Sequence, residues 1–194
     1  DVLKILDMMN FLASANYYAE AIAGSVVGSP TSNGAFAGSV AMLISNNEVV
    51  AEVGDGAVIT LGSGNFDMDA ESGAVARLIG GAVAATTGTT GVGVNIAALI
   101  DEDVVRASVG ANASIGASGD ITVDAKATSD TWAATIAAAV STGTGPSIGG
   151  NLNVIVSGNK VWAGALGADG TTAGGEQLTA GGDIRIAAEN ESKL

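Results

Sequence analysis

The chain has no cysteine and no histidine. The first absence removes disulfides and thiol catalysis without fixing a compartment, and it is compatible with export. The second removes the commonest general base and the commonest transition-metal ligand. Proline occurs twice in 194 residues, and aromatic residues make up only 4% of a chain that is 47% hydrophobic. The apolar content is therefore small, mostly Ala, Val, Ile and Leu, with 29 glycines among them. A thick globular core draws much of its buried area from Phe, Tyr and Trp. This composition suits narrow, tightly stacked layers instead.

Basic residues are scarce as well: 7 stand against 20 acids, for a net charge of −13. That balance argues against nucleic acid, whose phosphates need Lys and Arg, and equally against anionic membrane surfaces. The acidity reads as solubility and mutual repulsion between chains, with a cation-rich exterior as the functional alternative. No uninterrupted apolar run approaches the ~20 residues of a spanning helix and these residues hold no signal-peptide pattern, so membrane insertion is not expected. The chain starts at Asp1 without methionine and stops at "ENESKL", which leads us to expect a piece of a longer array.

What is present is a repeat. The segments "IAGSV" (Ile22 to Val26), "IGGAV" (Ile79 to Val83) and "IAAAV" (Ile136 to Val140) recur with an even period of about 57 residues. Tyr18, Val75 and Trp132 stand four positions before the three isoleucines, and a Gly/Thr/Ser-rich break follows each segment. A β-branched block comes next, then a recurring phrase: "GNFDMDA" from Gly64, "GDITVDA" from Gly119 and "GGDIRIAA" from Gly181. Repeats of this kind need stacked neighbours to bury their faces. They divide the chain into an N-terminal connector (1–14) and three units of about 57 residues, 15–71, 72–128 and 129–194.

The recurring phrase reads as a strand. Ile121, Val123 and Ala125 alternate with Thr122 and Asp124, and glycine with Asx supplies the turn before it. The alanine-rich blocks are ambiguous, because Val75, Leu78, Ile79, Ala82 and Val83 also fit one helix face. We favour strand there. Residues 2–13 carry a helical stripe of Val2, Ile5, Leu6, Met9 and Leu12 and are expected to be a short helix. The expected fold is mainly β: a parallel β-solenoid (β-helix) of three ~57-residue repeats, with stacked α/β repeats as the alternative. Each unit divides naturally into three turns of about 19 residues, or about ten turns in a rod on the order of 50 Å long. On that alignment Ile22, Ile79 and Ile136 should be equivalent buried positions, as should Val26, Val83 and Val140.

The run from "GTTGVG" through "DITVDAKATS" resembles the repeat regions of very large bacterial surface proteins, the filamentous-haemagglutinin-like and leukotoxin-like adhesins. The likeness is carried by the glycine break at Gly91 to Val94, the valine-rich segment at Val105 to Gly110, and the turn-strand phrase at Gly119 to Ala125. It implies an extracellular stalk or adhesive filament on the cell surface, and it carries over no functional residue. The partners it implies are neighbouring repeats or copies of the chain, with a host or neighbouring-cell surface as a further candidate. The shaft of a secreted toxin and a carbohydrate-active β-helix enzyme are the alternatives.

No catalytic, cofactor-binding or metal-ligating residue is assigned, and no cofactor is expected. "VGDGA" (Val53 to Ala57) reads as a turn, since the calcium-roll nonapeptide is missing. Asp101 to Asp103, "DED", has the oxygen ligands for a hard cation, but its counterparts do not keep three acids, so a solvated corner is favoured. "GTTGVG" and "GTGPSIGG" lack the dinucleotide and P-loop fingerprints and read as corners. Asp67 and Asp69 share a strand face in the manner of a glycosidase pair; their counterparts Thr122/Asp124 and Arg185/Ala187 dissolve it. Trp132 and Trp162 read as packing rather than a sugar platform. Asn112 and Asn190 head glycosylation sequons. The class expected is a structural, non-enzymatic segment.

Overall fold

The computed structural model of the protein describes residues 17–28, 31, 33–165 and 175–194. The helix expected over 2–13 lies outside the described residues. Among these, thirteen strands and no helix occur. The first unit forms β1 (Tyr17–Val27), β2 (Ala35–Ser45), β3 (Glu48–Val53) and β4 (Val58–Leu61). The second forms β5 (Phe66–Thr86), β6 (Gly91–Asp101), β7 (Val104–Val109) and β8 (Ser114–Ala117). The third forms β9 (Ile121–Ser141), β10 (Ser147–Ser157), β11 (Lys160–Gly164) and β12 (Gln177–Ala180), and β13 (Ile184–Lys193) opens a further pass.

Every pairing is parallel and joins equivalent strands of successive units. The front sheet runs β1-β5-β9-β13; three back sheets follow as β2-β6-β10, β3-β7-β11 and β4-β8-β12. The chain therefore crosses the front on one long strand and returns across the back in three shorter ones. β5 has 21 residues, and the returning strands of 11, 6 and 4 residues together match its length. The molecule is a wide slab two sheets thick.

One unit is thus one circuit of the slab. The division into three turns per unit is corrected: the alanine-rich blocks are strands, but they continue the strand begun by "GDITVDA" rather than starting a new turn. At 21 residues, β5 and β9 are far longer than an ordinary strand, which is what makes the unit look divisible. The described chain makes three circuits, not ten.

The register also corrects the buried set. Back-sheet strands of the first two units pair with an offset of 56 (Ala35 with Gly91, Glu48 with Val104). In the front sheet Phe66 meets Ile121, one step fewer, and Tyr17 meets Ala76, three steps more. Ile22 and Ile136 accordingly flank Gly81, while Ile79 lies between Glu20 and Ala134. Ile22 and Ile136 are both 67% exposed, and Val26, Val83 and Val140 are exposed too. They point out of the slab.

Its two halves pack in opposite senses. In the half built on β7, β8 and the first part of β5 and β9, apolar residues face inward. Val105, Val109, Ile115, Ile121 and Val123 are fully buried there, and Asp67, Asp69 and Thr122 face out. In the other half the inward positions are small: Gly80, Ala82 and Ala84 face Gly91, Gly93, Asn95 and Ala97, with Ala76, Leu78 and Leu99 nearest the middle. The sheets come so close that a Cβ on Gly93 would stand 2.6 Å from the Ala138 carbonyl oxygen. The outward positions of this half carry the bulk, in columns such as Val40-Ile96-Leu152 and Ile44-Ile100-Val156. Val40, Ile96, Leu152 and Val156 are all exposed.

Corners are held by Asx side chains. The carboxylate of Asp55 accepts from the Ala111 N–H (2.7 Å), Asn65 from Asp120 (3.0 Å), Asp120 from Asp183 (2.9 Å) and Asn159 from Asp103 (3.1 Å). At one corner all three units place a left-handed residue: Gly56 (φ 67), Asn112 (φ 57) and Gly175 (φ 73). Glycine and asparagine are the residues that enter this region at least cost.

Candidate functional site

Acidic side chains gather on the outer front face of the first half. Successive circuits stack Asp67-Thr122-Arg185, Asp69-Asp124-Ala187 and Glu71-Lys126-Glu189. The Asp67/Asp69 pair is therefore not repeated, as its counterparts imply. Around it lies an open hollow of about 230 Å³ lined by Asp69, Glu71, Asp124, Lys126, Arg185 and Glu189. Arg185 is ion-paired with Asp124, and Lys126 with Glu189 at 3.3 Å. The hydrogen bond and charge of Glu189 raise the pKa of Lys126, with Glu191 and Glu71 adding to it. Opposite charges alternate between circuits in the Glu71-Lys126-Glu189 column, and Arg185 reaches Asp124 diagonally. Ion pairs thus add to the backbone ladder on this face even though Asp69 stacks on Asp124. A glycosidase needs two carboxyl groups held apart around a bond, and here Asp124 and Glu189 are each ion-paired to a base.

The "DED" corner lies at the junction of the two halves and is not solvated. Asp101 and Asp103 are 0% and 1% exposed, and only Glu102 faces water. Their true counterparts are Ser45 and Asn47 in one direction and Ser157 and Asn159 in the other. Asp103 is fully bonded: it accepts from the Asn47 N–H (3.1 Å), the Asn47 amide (2.9 Å) and the Ser72 hydroxyl (2.7 Å). Charge-assisted bonds of this kind offset the cost of burial. Asp101 is in a different position. Burial, and then repulsion from Asp103, push its pKa above the ordinary 3.8; the hydroxyls of Ser45 and Ser129 oppose this only in part. Neither makes a hydrogen bond of ordinary geometry to its carboxylate oxygens. Among the described residues no three acidic side chains converge as metal ligands.

Each tryptophan stands over an arginine of the preceding circuit. Trp162 pairs in register with Arg106, whose guanidinium lies 5.2 Å from its ring centre and also reaches Glu52 at 3.4 Å. Trp132 pairs with Arg77, which is 3% exposed and binds Asp130 through its carboxylate (3.0 Å) and carbonyl (2.7 Å). The Trp162–Arg106 pair is a cation–π contact, and Trp132 stands beside Arg77 in register. In register Trp132 lines up with Tyr18 two circuits away, and Trp162 with Val50; Val75, aligned with Trp132 in the sequence, pairs with Asp130 instead.

"VGDGA" is the Asp55 staple already described, and "GTTGVG" and "GTGPSIGG" are the turns and first strand residues between the front sheet and β6 or β10. Asn112 is the exposed left-handed corner residue, and Asn190 lies exposed on β13. What sequence reasoning misses is the Asx ladder. Its signal is present: Asn47, Asp103 and Asn159 recur at a spacing of 56, one step offset from the alignment of the alanine-rich segments. Compared with known proteins, the chain matches no family model, no curated protein and no solved structure.

Proposed function

We propose that the circuits form a β-solenoid, and that this segment is a shaft within a large extracellular protein of the bacterial cell surface. It acts as a stalk or filament and mediates adhesion or self-association, with neighbouring repeats or further copies of the chain as its partners. The single observation that carries this reading is the exposure of the inward positions on β13. Ile121 and Val123 are fully buried, but their register partners Ile184 and Ile186 are 47% and 43% exposed. A further circuit stacked on β13 would bury them. Both outer strands of the front sheet, β1 and β13, have one strand neighbour among the described residues, and open edges of this kind recruit more strands.

The shaft of a secreted toxin uses the same stack and differs only in what the shaft carries. The carbohydrate-active enzyme is less well supported, because acids of the outer hollow are engaged with Lys126 and Arg185. Static light scattering and negative-stain microscopy of the purified segment across a salt series test the stacking. Association end to end should rise with ionic strength, since salt screens the acidic repulsion within about 10 Å at 0.1 M. A monomer at every salt and protein concentration overturns the reading.

A further inference from the structure

Residues 21–47, 78–100 and 131–159 contain no Asp, Glu, Lys or Arg. In each unit that stretch is the end of the front strand, the turn, and the first back strand. All but one of the charges on the described strands therefore lie on the other half of the slab; Glu20 is one step inside the border. The charge-free half is apolar on both outer faces. Ile96 and Leu152 project from the back, Ile136 and Val140 from the front, and all are exposed. Among the described residues its turns are Thr, Gly, Asn and Pro.

Its dimensions point to one medium. From the border to the turn the middle circuit runs over residues 78–86 in front and 91–100 behind. At about 3.3 Å per residue that is roughly 30 Å, the thickness of a bilayer's hydrocarbon core. Exposed aromatics mark the two limits: Trp132 stands at the charged border, and Phe36, 70% exposed, next to the turn. Tyr and Trp concentrate at membrane–water interfaces. The middle circuit also meets the demand that backbone groups be paired internally, since β6 is bonded on both sides.

A second copy of the chain fits less well. One face of three strands offers about 500 Å², below the roughly 800 Å² per partner of a standard interface. It would also leave the opposite face bare.

We propose that the charge-free half inserts edge-on into the hydrocarbon of a zwitterionic bilayer, leaving the acidic half in water. Net charge and the lack of a long apolar run argue against membranes in the sequence alone. The structure shows that the charge is segregated, and that alternation with small inward residues breaks up the apolar run. Acids at the border, Glu48, Asp101, Glu102 and Asp103, disfavour anionic lipid. The proposal uses the stacked array only to cover the edges of its end circuits.

The test is flotation of the whole chain with phosphatidylcholine vesicles, in a Trp162→Phe background so that Trp132 alone reports by fluorescence. The chain should float with the vesicles, the Trp132 emission should shift to the blue, and bromines near the headgroups should quench it more than deep ones. Replacing about a third of the lipid with phosphatidylserine should weaken binding. Ile96→Glu and Ile136→Glu, one on each face, should each cut the bound fraction at least about tenfold, with circular dichroism confirming that the sheet persists. Thr60→Glu on the acidic half should not. Absence of flotation, or flotation that neither substitution reduces, overturns the proposal. So does a soluble pair that Ile96→Glu alone dissolves. Stacks seen by microscopy without flotation would sink this proposal and spare the shaft; flotation by unstacked chains would do the reverse.

Discussion

The acidic half and the charge-free half share one chain, one strand register and one backbone ladder, yet they bury opposite kinds of side chain. In the acidic half, bulky residues such as Ile115 and Val109 fill the space between sheets and polar residues face water. In the charge-free half the sheets close on Gly, Ala and Asn, and the bulk is outside. Parallel pairing alone therefore does not dictate which face of a strand is hidden. The distance between the sheets does, and residue size at the inward positions sets it.

Truncation on the two sides is the sharpest way to break this comparison. Ile115→Ala removes a fully buried side chain and should cost about 2–5 kcal/mol in urea denaturation. Ile96→Ala, on the outer face of the other half, should stay within about 0.5 kcal/mol in water. Similar losses at both positions would mean that the outer aliphatics are covered.

The reverse change probes the gap. Gly93→Ala adds a Cβ 2.6 Å from the Ala138 oxygen and should destabilise by about 1–3 kcal/mol through overpacking. Gly116, whose added Cβ would meet Ile59 at an ordinary 4.0 Å, should accept alanine with little change.

The border itself is titratable. Asp101 has its folded pKa raised above 3.8, so it ionises later in the folded chain than in the unfolded one. Stability is then unaffected below 3.8, falls as pH rises from there through the folded value, and stays lowered above it. Asp101→Asn should remove that decline and gain on the order of 1 kcal/mol at pH 7. A variant less stable than the wild type at pH 7 would show the charge to be held favourably. The smallest effect belongs to the surface seam: Glu189→Gln, at an exposed ion pair, should leave the thermal midpoint where it is.

The acidic half was legible in the sequence and the charge-free half was not. "DITVDA" alternates apolar with polar, and Ile121, Val123 and Ala125 are inside as that pattern requires. The alanine-rich blocks follow the same alternation with its meaning inverted. There the larger residue of each pair is outside, so the rule that apolar residues point inward selects Ile22 and Ile136 and misses Ala82 and Ala84. The repeat length was readable because three blocks recur together. The number of turns per repeat was not, since nothing local marks a strand that runs 21 residues without a corner. At the border, Asp101 and Asp103 look solvated because a single sequence shows their charge but not the Ser72 and Asn47 side chains brought from other strands.

The register offsets have a mechanical consequence. Each circuit is tied to the next only across strands about 4.8 Å apart, while it stores a chain length of 56 between equivalent points. Pulling the ends of a stack apart loads those ladders one after another. Each circuit that peels away would release on the order of 190 Å of extended chain. An atomic-force trace of a long array should be a sawtooth whose steps follow the 55 to 63 residues between equivalent points of successive circuits. A long array of such circuits would lengthen under load by many times its resting length, dissipating work circuit by circuit.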